Sequence, residues 1–204
     1  MSFRSIALPL LALMSLSAGS TPLSTDKYEI DAAHAFVTFT IPHLVINKAK
    51  GSFKDISGTI LYDEKDPSKS SVEVTIKTAS INTNNESRDK HLRSADFFDV
   101  EKYPDMTFKS KRIERKGNGN VATGDLTIRG VTKEVQMPFT VGGPIKDPFP
   151  TGLKRIGVQA SLQIDRREYG ITWSRALEGG GLFVGNEVTI EINVEARIPK
   201  PAAD

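Results

Sequence analysis

The sequence contains no cysteine, which removes disulfides, thiolate chemistry, cysteine-ligated metals and cysteine lipidation together. It also has little charge imbalance: 27 Lys and Arg stand against 25 Asp and Glu, a net +2. A near-neutral chain is a poor match for nucleic acid, or for an anionic membrane surface, as its main partner. Histidine occurs three times, with no His-x-His or His-Glu-x-x-His spacing, so no metal site is predicted. A Gly-x-Ser-x-Gly elbow is missing. The two glycines of Gly124-Asp-Leu-Thr-Ile-Arg-Gly130 lie in a β-hairpin pattern, not at the strand-to-helix turn a phosphate loop needs. Internal repeats and low-complexity stretches are absent, and no apolar run reaches the ~20 residues of a membrane-spanning helix.

What is present begins with a leader. Arg4 precedes the apolar run Ile6–Met14, and the small residues Ser17, Ala18, Gly19 and Ser20 follow. This is the charged, apolar, small-residue order of a secretory signal peptide, with cleavage near Gly19-Ser20. Residues 1–20 are therefore predicted to be removed, leaving 21–204 as one periplasmic or secreted domain.

The remainder alternates with period two almost throughout. Along Ala35–Val45, Val37, Phe39, Ile41 and His43 share one face and Thr38 and Thr40 the other, while Pro42 marks an edge, bend or bulge. Phe53–Asp63 turns Ile60 inward, and Val72–Thr78 turns Val74 and Ile76 inward. Met106–Arg112 contributes Phe108; after the Asn118-Gly119 hairpin signal, Val121–Arg129 contributes Leu126 and Ile128. Gly130-Val-Thr132 then leads into Glu134–Val141, which carries Met137 and Phe139 on its inner face. Gly142–Gly152, with Pro144, Pro148 and Pro150, reads as irregular. Arg155–Asp165 supplies Leu162, and Val188–Ile198 supplies Ile190.

These strands, about eight and each apolar on one face, predict an all-β, antiparallel up-and-down barrel. Such a barrel is either filled by its side chains or holds one ligand. The last strand would be about 35 Å long at ~3.4 Å per residue, tall for a solid core. Periodicity alone does not separate a filled core from a cavity, although Met137 suits an adaptable lining.

One stretch breaks the alternation. Thr83-Asn-Asn-Glu86 fits a capping box that opens a short helix over about 84–93. Ser94 or Asp96 can cap a further turn that aims Phe97 and Phe98 in one direction, and Pro104 returns Tyr103 to extended geometry. The aromatic pair reads either as a lid over a hydrophobic interior or as a connection covering one end of a core. Arg166, Arg167, Glu168, Tyr169 and Trp173 follow a strand end and read as a polar and aromatic rim. His43, inward among apolar neighbours, is either a hydrogen-bonded core histidine or a contact for the polar end of a ligand.

Several motifs occur in order: Asp31-Ala-Ala-His34 with Val37-x-Phe39, Gly51-Ser-Phe53, His91–Asp99 with Lys102-Tyr-Pro104, Gly124–Thr132, Arg167-Glu-Tyr-Gly170 and Val184–Ile190. Together they resemble the YceI-like family of secreted lipid- and polyisoprenoid-binding proteins, from about Tyr28 to Ile198. The resemblance implies an extended, lipocalin-like barrel with a short helical insert, often dimeric. It would hold a polyisoprenoid, an isoprenoid quinone or a fatty-acid-like lipid. On that reading the inward residues named above, with Phe97, Phe98 and Trp173, contact the lipid. His43, Arg167 and Trp173 are the expected polar groups at the mouth. The partner is a hydrophobic small molecule, without stable membrane insertion, and no catalytic residue, metal or cofactor other than the lipid is implied. Two rival readings remain: an interaction module with a filled core, and an enzyme acting on an isoprenoid through His43.

Overall fold

The computed structural model describes residues 25–150 and 152–201; the predicted signal peptide lies outside them. Ten strands form one antiparallel sheet: β1 (Asp26–His43), β2 (Asn47–Phe53), β3 (Ile56–Tyr62), β4 (Ser71–Lys77), β5 (Ile81–Asn82), β6 (Asp105–Lys116), β7 (Gly119–Ile128), β8 (Val131–Lys146), β9 (Gly152–Asp165) and β10 (Glu187–Pro199). The ladder β1–β3–β4–β6–β7–β8–β9–β10 returns to β1, so eight strands close a barrel. Closure removes the unpaired edges an open sheet would expose. The predicted all-β barrel with a short helical insert is thus the observed fold. One helix, α1 (Glu86–Arg93), follows β5.

β1 divides its pairing. Asp26–Glu29 ladders with β3, whereas Val37–His43 ladders with β2. β2 and the two-residue β5 therefore lie outside the closed circuit. On the far side of the closure the register sets Ile190 opposite Leu162, Ile192 opposite Ala160, Val194 opposite Val158 and Ala196 opposite Ile156, which keeps alternate apolar residues inside.

The structure joins pieces that the sequence pattern separates. The alternation read from Ala35 onward is only the second part of β1, which ends at His43 and reaches back to Asp26 through a register shift between Ile30 and Ala35. A bulge inserts residues out of phase, so a period-two reading stops there. β2 carries no apolar alternation in the sequence, because Gly51 stands on its inner face: a Cβ there would lie 2.4 Å from the Phe39 ring and 2.8 Å from the Thr83 methyl. β8 continues to Lys146 through the segment expected to be irregular, with a register shift between Gly142 and Ile145. In the β6–β7 hairpin, Lys116 pairs with Gly119. The loop is therefore Gly117-Asn118, with Gly117 at φ 58 as the first position of a type II′ turn asks. Pro42 is accommodated because the β10 ladder ends at Thr40; beyond it Pro42 only accepts, through its carbonyl, from Gly185 N–H, so its missing N–H is not called on.

Candidate functional site

At one end of the barrel, here the helix end, the strand termini meet α1, the turn after it and the segment from Ile171 to Asn186. Asn85, not Thr83, caps α1, its Oδ1 accepting from Arg88 N–H at 2.9 Å. The Thr83 hydroxyl instead donates to Asp89 at 2.5 Å, and Thr83 N–H donates to the same oxygen at 2.9 Å. Arg93 ties the helix to the sheet through the carbonyls of Ala79 (2.9 Å) and Ile81 (2.8 Å). Arg129 bridges the carbonyls of Ala95 and Gly170, each at 2.8 Å, joining the turn after α1 to the segment beyond Tyr169. Leu44 N–H donates to the Phe183 carbonyl and Gly185 N–H to the Pro42 carbonyl, both at 2.9 Å, which fastens that segment to the end of β1.

Inside lies a cavity of about 330 Å³, within the range of small-molecule pockets. It runs from Tyr62, Ser70 and Asn120 at the far end to His43, Trp173 and Phe183 at the helix end. Each residue assigned inward from the pattern lines it: Val37, Phe39, Ile41 and His43 from β1, Ile60 from β3, Val74 and Ile76 from β4, and Phe108 from β6. Leu126 and Ile128 from β7, Met137 and Phe139 from β8, Leu162 from β9 and Ile190 from β10 complete that set.

Phe97, Phe98 and Trp173 line it as well, but the two phenylalanines contact different neighbours. Phe98 meets Phe53 edge-on at 5.6 Å, and Phe53 meets Phe39 at 5.9 Å. Phe97 packs on His91 at 5.1 Å and on Trp173 at 5.3 Å. His91 stands edge-on to Trp173 at 4.9 Å, and Phe183 lies between Trp173 (6.1 Å) and His43 (5.0 Å). Offset and edge-on rings of this kind favour one another beyond simple burial.

The rim departs from expectation at one residue. Arg167 is turned outward, held by Asp165 through Nη2 at 2.5 Å and Nε at 3.0 Å. Arg166 lines the cavity instead, 3% exposed. Its Nε donates to Gly185 O at 2.7 Å, Nη1 to Ile171 O at 2.8 Å and Nη2 to Val184 O at 3.2 Å. Both arginines sit on one 3-10 turn, Arg166–Tyr169, so they diverge, and nothing in the spacing indicates which turns inward. Burial pushes the Arg166 guanidinium below its ordinary pKa and raises the neighbouring Tyr169 phenol to about 12.

Arg88, His91 and Phe183 also line the cavity and escaped the sequence reading. All three lie off the long strands, where no two-residue period exists to place them. Among the described residues no aspartate or glutamate lines the cavity. Apart from a few basic, amide and hydroxyl-bearing side chains the wall is apolar, and the arrangement is suited to burying apolar surface.

A separate polar cluster lies on the outer wall. Asp31, His34 and Glu195 bring ligand-type atoms within 4.8 Å of one another. Arg155 occupies that place: its Nη1 bonds Asp31 and Glu195, each at 2.8 Å, and its Nη2 bonds Asp147 at 3.2 Å. The Arg155 hydrogen bond pulls the Asp31 carboxyl down from 3.8 to about 2.

The YceI-like domain model matches residues 28–196. A UPF0312 protein from Serratia proteamaculans is 44% identical over 159 residues, covering 78% of this chain and 82% of the relative. The crystal structure of a Campylobacter jejuni YceI protein has TM-score 0.64 at 34% identity, covering 78% of this chain and 90% of that one. A polyisoprenoid binding domain from Saccharophagus degradans, implicated in plant cell wall breakdown, shares the fold at TM-score 0.61 and 19% identity, with 84% and 98% covered.

Proposed function

The chain belongs to the YceI-like family, and from that premise we propose that it is a periplasmic binding or carrier protein for a long-chain apolar lipid. The observation that carries this reading is the apolar cavity extending from Tyr62 to Trp173 inside a closed barrel. A filled core would have served equally well for an interaction module. The ligand class, a polyisoprenoid or a fatty-acid-like chain, is supported by the polyisoprenoid binding domain that shares the fold. The leader carrying Arg4 and the apolar run after it supports export.

Burial alone can supply the affinity. Each buried methylene contributes about 0.8 kcal/mol, so roughly ten of them contribute ~8 kcal/mol before the cost of ordering the chain. Selectivity then rests on cavity length and on the few polar groups at the helix end. Native mass spectrometry of protein purified from the periplasm, followed by solvent extraction, tests the proposal. A discrete added mass that extracts as a prenyl or acyl lipid is expected. A bare protein that also takes up neither isoprenoid quinone nor fatty acid would overturn it.

A further inference from the structure

The basic side chains of the lining are gathered at one end. His43 closes β1, Arg88 and His91 belong to α1, and Arg166 follows β9; all four reach the helix end of the cavity, and no carboxylate among the described residues faces them from its wall. Of the nearby acids, Asp165 is bound to Arg167 and Asp89 accepts from Thr83, while Asp96, outside the lining, lies 2.9 Å from His91 Nε2 and partners that member of the group. Arg88 is exposed and donates to the Thr83 hydroxyl and carbonyl, at 2.8 and 2.9 Å.

Arg166 is the unusual member. Its charge is almost fully buried, yet its three partners are neutral carbonyls. Carbonyls satisfy N–H groups but bring no net charge to a buried cation, and the adjacent Asp165 carboxylate supports it only through space, its hydrogen bonds going to Arg167. Each terminal nitrogen keeps one N–H with no partner among the described residues. The three carbonyl bonds also fix the guanidinium in place, so no ordering cost is added when an anion arrives.

Building on the lipid-binding reading, we propose that the helix end is a headgroup site, and that the ligand is an amphiphile with a carboxylate or phosphate head accepting the free N–H groups of Arg166. The tail then points along the barrel toward Tyr62. A guanidinium matches either head in planar, two-point fashion, and a neutral head brings no countercharge to it.

The chain has one tryptophan, Trp173, and it lines this end, so its fluorescence reports occupancy directly. The mature wild-type protein would be titrated with palmitate, hexadecyl phosphate, hexadecanol and hexadecylamine, which share one tail. The anions are expected to bind at least about tenfold tighter than the alcohol, with the amine weakest. The better of the two anions then identifies the head. In Arg166→Met that preference should fall to within about twofold. Should this variant fail to fold by circular dichroism, the wild-type ranking decides alone. An alcohol that binds as tightly as both anions, or a preference surviving in a folded Arg166→Met, overturns the headgroup site while leaving lipid binding intact. Failure of all four ligands, and of isoprenoid quinone, would instead remove the parent reading.

Discussion

At the end of the barrel where β1 begins, the strands themselves do the packing: Tyr28 and Ala196 are fully buried and Ile156 is 1% exposed, with Ile60 against them. At the helix end the closure comes from added segments, α1, the turn carrying Phe97 and Phe98, and Ile171–Asn186, held ring against ring. Backbone strain follows the same division. Every non-glycine residue with positive φ among the described residues (Leu44, Val45, Asn84, Asp99, Arg129) belongs to this second end. Leu44 and the β-branched Val45 do so consecutively, at φ 54 and 66. Positive-φ backbone and a buried cation on the cavity wall together mark the end where uniform packing has been given up for polar chemistry. At the other end the buried charges of Arg155 and Asp147 pair with each other.

The comparison can be broken most directly at Ile156. Shortening Ile156→Ala empties a site where strands on all sides are fixed by their ladders, and a stability loss of about 3 kcal/mol in urea unfolding is expected. A loss under about 1 kcal/mol would show that this end relaxes as readily as the other.

Acid should act on the same end from outside. Asp31 ionises near 2 rather than 3.8 because Arg155 holds its carboxylate. The stability this contributes is present above pH 3.8 and disappears as pH falls toward 2, about 2 kcal/mol in all. Asp147 is lowered too, by the Phe149 N–H and by Arg155, so it titrates in the same direction. Asp31→Asn should lower stability at neutral pH and flatten the profile between pH 4 and 2. Superimposable profiles for variant and wild type would exclude the ion pair as the cause.

The smallest effect has the opposite sign. Val45 is 68% exposed at φ 66, so Val45→Gly removes strain and little packing, and a gain of about 1 kcal/mol is expected. Its Cγ2 lies near Gly181. A clear loss of thermal stability in Val45→Gly would mean that this contact, and not relief of strain, governs the turn.

Legibility in the sequence follows the same boundary. Alternation located the strands from Val72 to Val141 and from Arg155 to Ile198 because each is apolar on one side only. It also placed residues such as Leu126, Met137 and Ile190 toward the interior, where the cavity is. It stopped at Asp31–His34, where extra residues shift the phase, and at Gly51, where the inner position holds no side chain at all. At the helix end, pattern reading chose Thr83 over Asn85 as the cap and Arg167 over Arg166 as the rim arginine. Both errors concern near neighbours in or just before short helical turns, where the direction of a side chain is decided by its partners: Asp89 for Thr83, and the carbonyls of Ile171, Val184 and Gly185 for Arg166.

The pairing of β1 with β10, Phe39 opposite Ile190 and Val37 opposite Ile192, has a consequence in time. The first strand to be synthesised waits for the last, across almost the whole chain, and such distant pairings form slowly. Until β10 arrives the wall has a gap from one end to the other, and there is no smaller, partial version of the interior. The interior is therefore enclosed only by the last strand, and its completion depends on the most distant contact in the chain.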